Sequence, residues 1–281
     1  MAELQKAGIL GAGMMGAEIA LVCARAGMAV VMKEVNLELA QKGKKRIADI
    51  LNKQVSKGQL AQADADAALA LVTPTDKYDG FADADIVVEA ILEVVDIKQQ
   101  AFRELDAVCK PTCIFASNTS SISITKLAAA ARPDRFVGLH FFSPVSIMKL
   151  VEVIPGLLAT PETVEIAKAF CVKIGKTPIK VKNVEGFAVN RMLCAMMNEA
   201  YRLVDEGVAS IEDIDTACKL GLGHPVGPLR LCDNISLDLL GKVHDILAEA
   251  YGDRFKAPNA FRERVSAGHY GRKTGKGWYD Y

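Results

Sequence analysis

The turn Gly11-Ala12-Gly13-Met14-Met15-Gly16 constrains this chain more than any other stretch, because of what flanks it. An apolar run at 6–10 enters the turn. An amphipathic segment at 17–26 leaves it, and after Gly27 a second apolar run, MAVVMK, occupies 28–33. That order is strand, tight turn, helix, parallel strand, with G-x-G-x-x-G in the turn. Gly11 permits the bend, Gly13 lets the backbone approach a pyrophosphate, and Gly16 lets helix pack on strand. The helix N-terminus at Met14 and Met15 offers N–H groups to phosphate oxygens. Glu34 stands at the carboxyl end of the second strand, where an acid binds both ribose hydroxyls of an adenosine and repels a 2′-phosphate. NAD is therefore expected in preference to NADP, and only the adjacent Lys33 would suit the 2′-phosphate.

From 36 to about 71 the pattern is helical. A long polar helix runs to about Gly58, with lysines at 42, 44, 45, 53 and 57, and a second helix covers 63–71. Lys53 and Lys57 share a face at i and i+4, which fits either a solvated surface or a phosphorylated ligand. DIVVEA at 85–90 has the apolar, β-branched character of a buried parallel strand. Glu93 and Lys98 follow it. Open α/β sheets bind ligands at the carboxyl ends of their strands, which makes both candidates for cofactor contacts; Lys98 equally fits an ordinary first-turn surface lysine. After a helix at 97–109, a strand at 113–116 leads into Ser117-Asn118-Thr119-Ser120-Ser121. Five small polar residues there suit hydrogen bonds to a ligand, an N-cap for the next helix, or both.

The stretch VGLHFFSPVSIMKLVEVI at 137–154 sets His140, one of only four histidines, in an apolar run and Glu152 in the next one. If 137–142 and 149–154 pair as antiparallel strands about a turn near Ser146, His140 and Glu152 lie opposite each other on one face. Their Cβ atoms would then be about 4.5–5.5 Å apart. The carboxylate would accept a hydrogen bond from one imidazole nitrogen and leave the other to handle a proton. A buried histidine satisfied by a structural carboxylate fits the same spacing.

A helix at 161–174 and a strand at 177–181 follow. Beyond Gly186 the strand-like runs stop, and helices are expected at 187–206, 211–220, 228–251 and 260–267. The expected fold is α/β: a Rossmann-like, mainly parallel sheet domain at 1–184 with a helical insertion at about 36–71, followed by an all-helical domain at 185–281. Position 270 is Tyr where G-x-x-x-x-G-K needs Gly, and Gly277 follows Lys276 where Ser or Thr is required, so the glycine-rich tail is not a P-loop.

Composition removes several classes. The 34 basic and 34 acidic residues cancel, which gives no global electrostatic case for nucleic acid. No apolar run approaches the ~18–20 residues of a membrane span. Residues 1–13 lack a basic region followed by a long apolar core, so no signal peptide is expected and the cytoplasm is the expected compartment. The seven cysteines are scattered with no C-x-x-C pair, which reads as reduced thiols with no metal site.

With the dinucleotide turn, SNTSSISIT, HFFSPVSIMKLVEVI, GFAVNRML and GRKTGKGWYDY together, the whole chain resembles the short-chain L-3-hydroxyacyl-CoA dehydrogenases, the bacterial 3-hydroxybutyryl-CoA dehydrogenases being the nearest type. The resemblance implies NAD-linked oxidation of an (S)-3-hydroxyacyl-CoA to the 3-oxoacyl-CoA and the reverse, with 3-hydroxybutyryl-CoA and acetoacetyl-CoA as the expected pair, in a homodimer. It implies His140 as catalytic base, Glu152 as its orienting carboxylate, Ser120 at the substrate and nicotinamide, and Asn190 as a substrate-positioning residue. It also implies Glu93, Lys98, Asn118 and Lys273 as cofactor contacts and Lys53 and Lys57 as contacts to the CoA portion, in place of a solvated face. Ser143 stands where the family often has Asn, which bears on one cofactor hydrogen bond, and Glu34 stands where Asp is usual. The rival readings are a related dehydrogenase of sugar acids that does not use CoA, and a non-catalytic dinucleotide-binding structural or sensor protein.

Overall fold

The computed structural model describes residues 4–281; residues 1–3, where the segment read for a leader begins, lie outside the described residues. The chain divides into two compact units, one ending at Asn183 and the other Val184–Tyr281.

In the first unit, β1 (Lys6–Leu10), β2 (Ala29–Lys33), β3 (Val72–Thr75), β4 (Ile86–Glu89), β5 (Ile114–Ser117), β6 (Phe136–Phe141), β7 (Leu150–Pro155) and β8 (Thr177–Lys180) form one sheet in the order β3-β2-β1-β4-β5-β6-β7-β8. Pairing is parallel except between β6 and β7. The strands β4 and β5 are buried at every residue, as apolar runs covered on both faces should be. Strand order reverses between β1 and β4, so the ligand crevice of such a sheet opens beyond their carboxyl ends. Helix α1 (Met14–Arg25) is apolar nearly all round and buries Gly16 through Ala24.

The sequence reading missed one strand. Val72–Thr75 reads VTPT, too short and too polar for its period to show, yet it pairs with β2. It tolerates Pro74 because it is the edge strand, where one side of the ladder is unpaired. The helices α2 (Leu37–Ser56) and α3 (Gln62–Ala70) are thus the crossover from β2 to β3.

Next come α4 (Val95–Asp106), α5 (Ile124–Ala128) and α6 (Pro161–Lys173). The cap of α5 is Ser123, whose hydroxyl accepts from Lys126 N at 3.4 Å, and not one of the five residues at 117–121.

The second unit is helical: α7 (Val189–Asp205), α8 (Ile211–Gly221), α9 (Pro228–Ile235), α10 (Leu237–Tyr251) and α11 (Asn259–Ser266). A single helix over 228–251 was expected; Ser236, at φ 108°, divides it. There Ser236 N still bonds to Cys232 O at 2.9 Å, but Leu237 N turns to Tyr270 O at 3.2 Å, so a partner outside the helix takes over the ladder. The core of this unit stacks Tyr201 between Phe261, at 4.8 Å between ring centroids, and Trp278, at 5.2 Å. Asp233 organises the tail: its carboxylate accepts from Trp278 N (2.8 Å), Tyr279 N (2.9 Å) and the Tyr281 hydroxyl (3.0 Å). A Cβ on Gly277 would fall 2.1 Å from Asp233 Oδ1, and one on Gly271 2.4 Å from its carbonyl oxygen. In the tail that superficially resembles a P-loop, Gly277 is room for this carboxylate and Gly271 for the Asp233 backbone.

Candidate active site

The glycine turn is built for close approach. Gly11 has φ 101°, and a Cβ there would meet Ala90 O at 2.5 Å; a Cβ on Gly16 would meet Gly11 O at 2.0 Å. Gly13 differs, since a Cβ there would meet nothing within 4 Å. It faces open space at the N-cap of α1, where no side chain caps the helix. The first-turn N–H groups at Met14 and Met15 therefore lack a side-chain acceptor from the chain, which fits a bound pyrophosphate. Glu34 is held across the mouth of the turn, its two carboxylate oxygens accepting from Ala12 N at 3.1 Å and Val35 N at 2.9 Å. The Lys33 ammonium lies 4.4 Å from the centre of the Tyr78 ring and donates to Glu34 O at 3.3 Å. These groups fit an adenine dinucleotide with unsubstituted ribose hydroxyls.

Beyond β4 and β5 the residues read from sequence as candidate ligand contacts are joined in a polar network of their own. Lys98 is not a surface residue: it is 1% exposed, with Nζ 2.5 Å from Glu89 Oε1 and 3.1 Å from Glu93 Oε2. Breaking such a buried pair by removing one partner costs about 3–5 kcal/mol. Glu93 also accepts from the Thr119 hydroxyl, from Ser121 Oγ at 3.0 Å and from Ser120 N at 3.3 Å. Burial would raise the Glu93 pKa, but Lys98, Thr119 and Ser121 outweigh it and hold the carboxyl below its ordinary value. Asn118 turns the other way, with Oδ1 accepting from Phe141 N at 2.9 Å and so tying the loop after β5 to the end of β6.

On β6 and β7 the register expected from sequence is present: His140 pairs with Glu152. His140 Nδ1 lies 2.7 Å from Glu152 Oε2, and the carboxylate has no solvent exposure. A carboxylate there selects the tautomer that carries hydrogen on Nδ1. The connecting segment is pinned by two buried charges. Glu18 on α1 accepts from Ser146 N at 3.1 Å, and Lys176 donates to the carbonyls of Val145 and, at 2.8 Å, Met148. The dinucleotide helix and the loop beside the His140–Glu152 pair are thus joined by a side chain. Ser143 lies in that segment and is exposed.

The first unit therefore gathers the glycine turn, Glu34, Glu93, Lys98, Asn118, Ser120, His140 and Glu152 at or near strand ends. Lys53 and Lys57 are exposed at the far end of α2, a helix whose twenty residues span roughly 30 Å. In the second unit Asn190 lies in the first turn of α7, and the Lys273 ammonium is 2.7 Å from Asp238 Oδ2. Glu18, Glu89 and Lys176 escaped the sequence reading, although a lone charge inside an apolar run, as in DIVVEA and GAEIALV, is the signal that marks the first two. All seven cysteines are free, and only Cys218 is not buried.

Residues 6–184 match the family 3-hydroxyacyl-CoA dehydrogenase, NAD binding domain, and residues 186–281 match 3-hydroxyacyl-CoA dehydrogenase, C-terminal domain. The chain belongs to the 3-hydroxyacyl-CoA dehydrogenase family. Among relatives in this family, 3-hydroxybutyryl-CoA dehydrogenase of Bradyrhizobium diazoefficiens is 43% identical over 282 residues, covering 100% of this chain and 96% of that protein. The fatty acid oxidation complex subunit alpha of Shewanella amazonensis is also 43% identical, but this chain spans only 40% of it. The crystal structure of (S)-3-hydroxybutyryl-CoA dehydrogenase from Ralstonia eutropha superimposes with a TM-score of 0.95 at 44% identity, covering 99% of each chain. This family member is thus an NAD-binding oxidoreductase with a Rossmann-like first domain and a helical second one. No helix among the described residues is long and apolar enough to cross a membrane.

Proposed function

We propose that the protein interconverts (S)-3-hydroxybutyryl-CoA and acetoacetyl-CoA with NAD, His140 and Glu152 carrying the proton transfer. The observation that carries the reading is the 2.7 Å His140–Glu152 pair on the antiparallel step of the sheet that bears the dinucleotide turn. Gly11, Gly13, Met14, Met15 and Gly16 hold the pyrophosphate, and Glu34 holds the adenosine ribose. Asn118, Ser143, Glu93, Lys98 and Lys273 complete the cofactor's seat. When bound, NAD supplies the hydride acceptor or, reduced, the donor. His140 takes the proton of the 3-hydroxyl on its second ring nitrogen, while Glu152, fixed on Nδ1, stabilises the imidazolium that forms. In the reductive direction the protonated His140 returns that proton to the oxygen. Ser120 and Asn190 position the substrate, and Lys53 and Lys57 meet the phosphates of CoA.

The domain of residues 185–281 contributes to substrate binding and to a homodimer, and the protein works in the cytoplasm. Consumption of NADH by the purified protein with acetoacetyl-CoA, set beside free acetoacetate, tests the reading. Turnover of the thioester alone is the expected result. Equal rates with both compounds favour a CoA-independent dehydrogenase, and no turnover with either overturns the assignment.

A further inference from the structure

Glu89 is the last residue of β4 and has no solvent exposure. Its neighbours in the sheet are Leu10, which precedes Gly11, and Ser117, which opens the polar loop after β5. It therefore sits on the floor of the crevice where strand order reverses. Its carboxylate is fully engaged: Oε1 accepts from Lys98 Nζ at 2.5 Å and Ile91 N at 2.7 Å, and Oε2 accepts from Ser117 Oγ at 2.6 Å. Ser117 Oγ in turn accepts from Thr119 N at 3.3 Å. One buried carboxylate thus reaches the segment after β4, the first turns of α4 and the loop at 117–121.

The charge matters as well as the shape. Lys98 is shared between Glu89, which is buried, and Glu93, whose side chain is 40% exposed. Without Glu89 the ammonium keeps one carboxylate, the more exposed Glu93, beside the Ile91 carbonyl at 3.4 Å, and it would lean toward Glu93 and solvent. Stability alone is a weak reason for such an arrangement, since well-packed apolar residues often match or exceed a buried ion pair. A role in holding groups at the crevice accounts for it better.

We propose that Glu89 is a positioning residue for the cofactor: its charge fixes the Lys98 ammonium, and through Ser117 the loop at 117–121, in the geometry that NAD binding requires. The inference rests on the NAD-linked reading above but not on the acyl substrate, because it is read by NADH binding alone.

Glu89→Gln keeps the shape and removes the charge. Direct titration of NADH fluorescence should show Kd raised at least tenfold, with kcat at saturating NADH reduced by a smaller factor. Because Glu89 acts through Lys98, adding Lys98→Met to Glu89→Gln should change Kd by less than twofold further. A folded Glu89→Gln protein that binds NADH within twofold of wild type overturns the proposal. So does a second tenfold loss when Lys98→Met is added, since Lys98 would then have kept its place without Glu89. If Glu89→Gln does not fold, Ser117→Ala decides the matter: a Kd raised at least threefold supports the proposal, and an unchanged Kd overturns it.

Discussion

His140 and Glu152 oppose each other across the sheet's one antiparallel step among the described residues, with Nδ1 2.7 Å from Oε2. The carboxylate is fully buried and the imidazole nearly so, so their separation is set by the ladder rather than by mobile side chains. His140→Ala should lower kcat by about 10²- to 10⁴-fold, the usual contribution of a positioned acid or base, with NADH affinity kept. Glu152→Gln should lower kcat at least tenfold and move the pH–rate profile. Near-normal turnover of the first variant, or an unmoved profile in the second, removes the pair from the mechanism.

Lys53 and Lys57 lie at the distal end of α2, far along the helix from the Glu34 end of the crevice. Replacing both with Ala should raise KM for acetoacetyl-CoA several-fold at low ionic strength and leave kcat unchanged. The difference should fade toward 1 M salt, where the screening length falls to about 3 Å. Steady-state kinetics across a salt series would show this, and equal KM values at low salt would return these lysines to a solvated face.

Asp233 holds the C-terminal tail through two backbone N–H groups and the Tyr281 hydroxyl, with 1% exposure. Asp233→Ala strands those donors, each at about 1–3 kcal/mol when buried. Urea denaturation should show a loss of roughly 3 kcal/mol. A loss under about 1 kcal/mol would mean that water replaces the carboxylate at little cost.

His244 is buried beside Tyr201 and Phe261, and its Nδ1 lies 3.2 Å from Phe255 O. Burial lowers its pKa, against the opposing pull of the Phe255 carbonyl and Asp245. The unfolded chain therefore takes up this proton first. The contribution to stability is complete above about pH 6.5, the ordinary histidine value, and is lost as pH falls below it through the folded pKa. Melting temperatures measured from pH 7 to 5 should fall more steeply for the wild type than for His244→Asn. Parallel slopes would contradict the assignment.

What could be read from the sequence was whatever local spacing dictates. The G-x-G-x-x-G turn needs glycine at Gly11 and Gly16 because backbone atoms occupy the space of a Cβ there. The facing of His140 and Glu152 followed from the two-residue period of strands about a turn near Ser146. The approximate boundary between the α/β and helical parts showed in the change of hydrophobic period. The structure alone decided what depends on distant partners. Strand β3 exists because β2 offers it an edge, and the helix over 228–251 breaks at Ser236 because Tyr270 supplies an acceptor. Lys98 is buried because the turn from β4 into α4 brings Glu89 and Glu93 onto it while Ser117, Thr119 and Ser121, from β5 and the loop after it, hold those two carboxylates in place. Side-chain period reports which face a residue occupies, whereas a strand's edge, a helix's break and the groups that hold a buried ion pair are set by chain segments that meet only once the fold has formed.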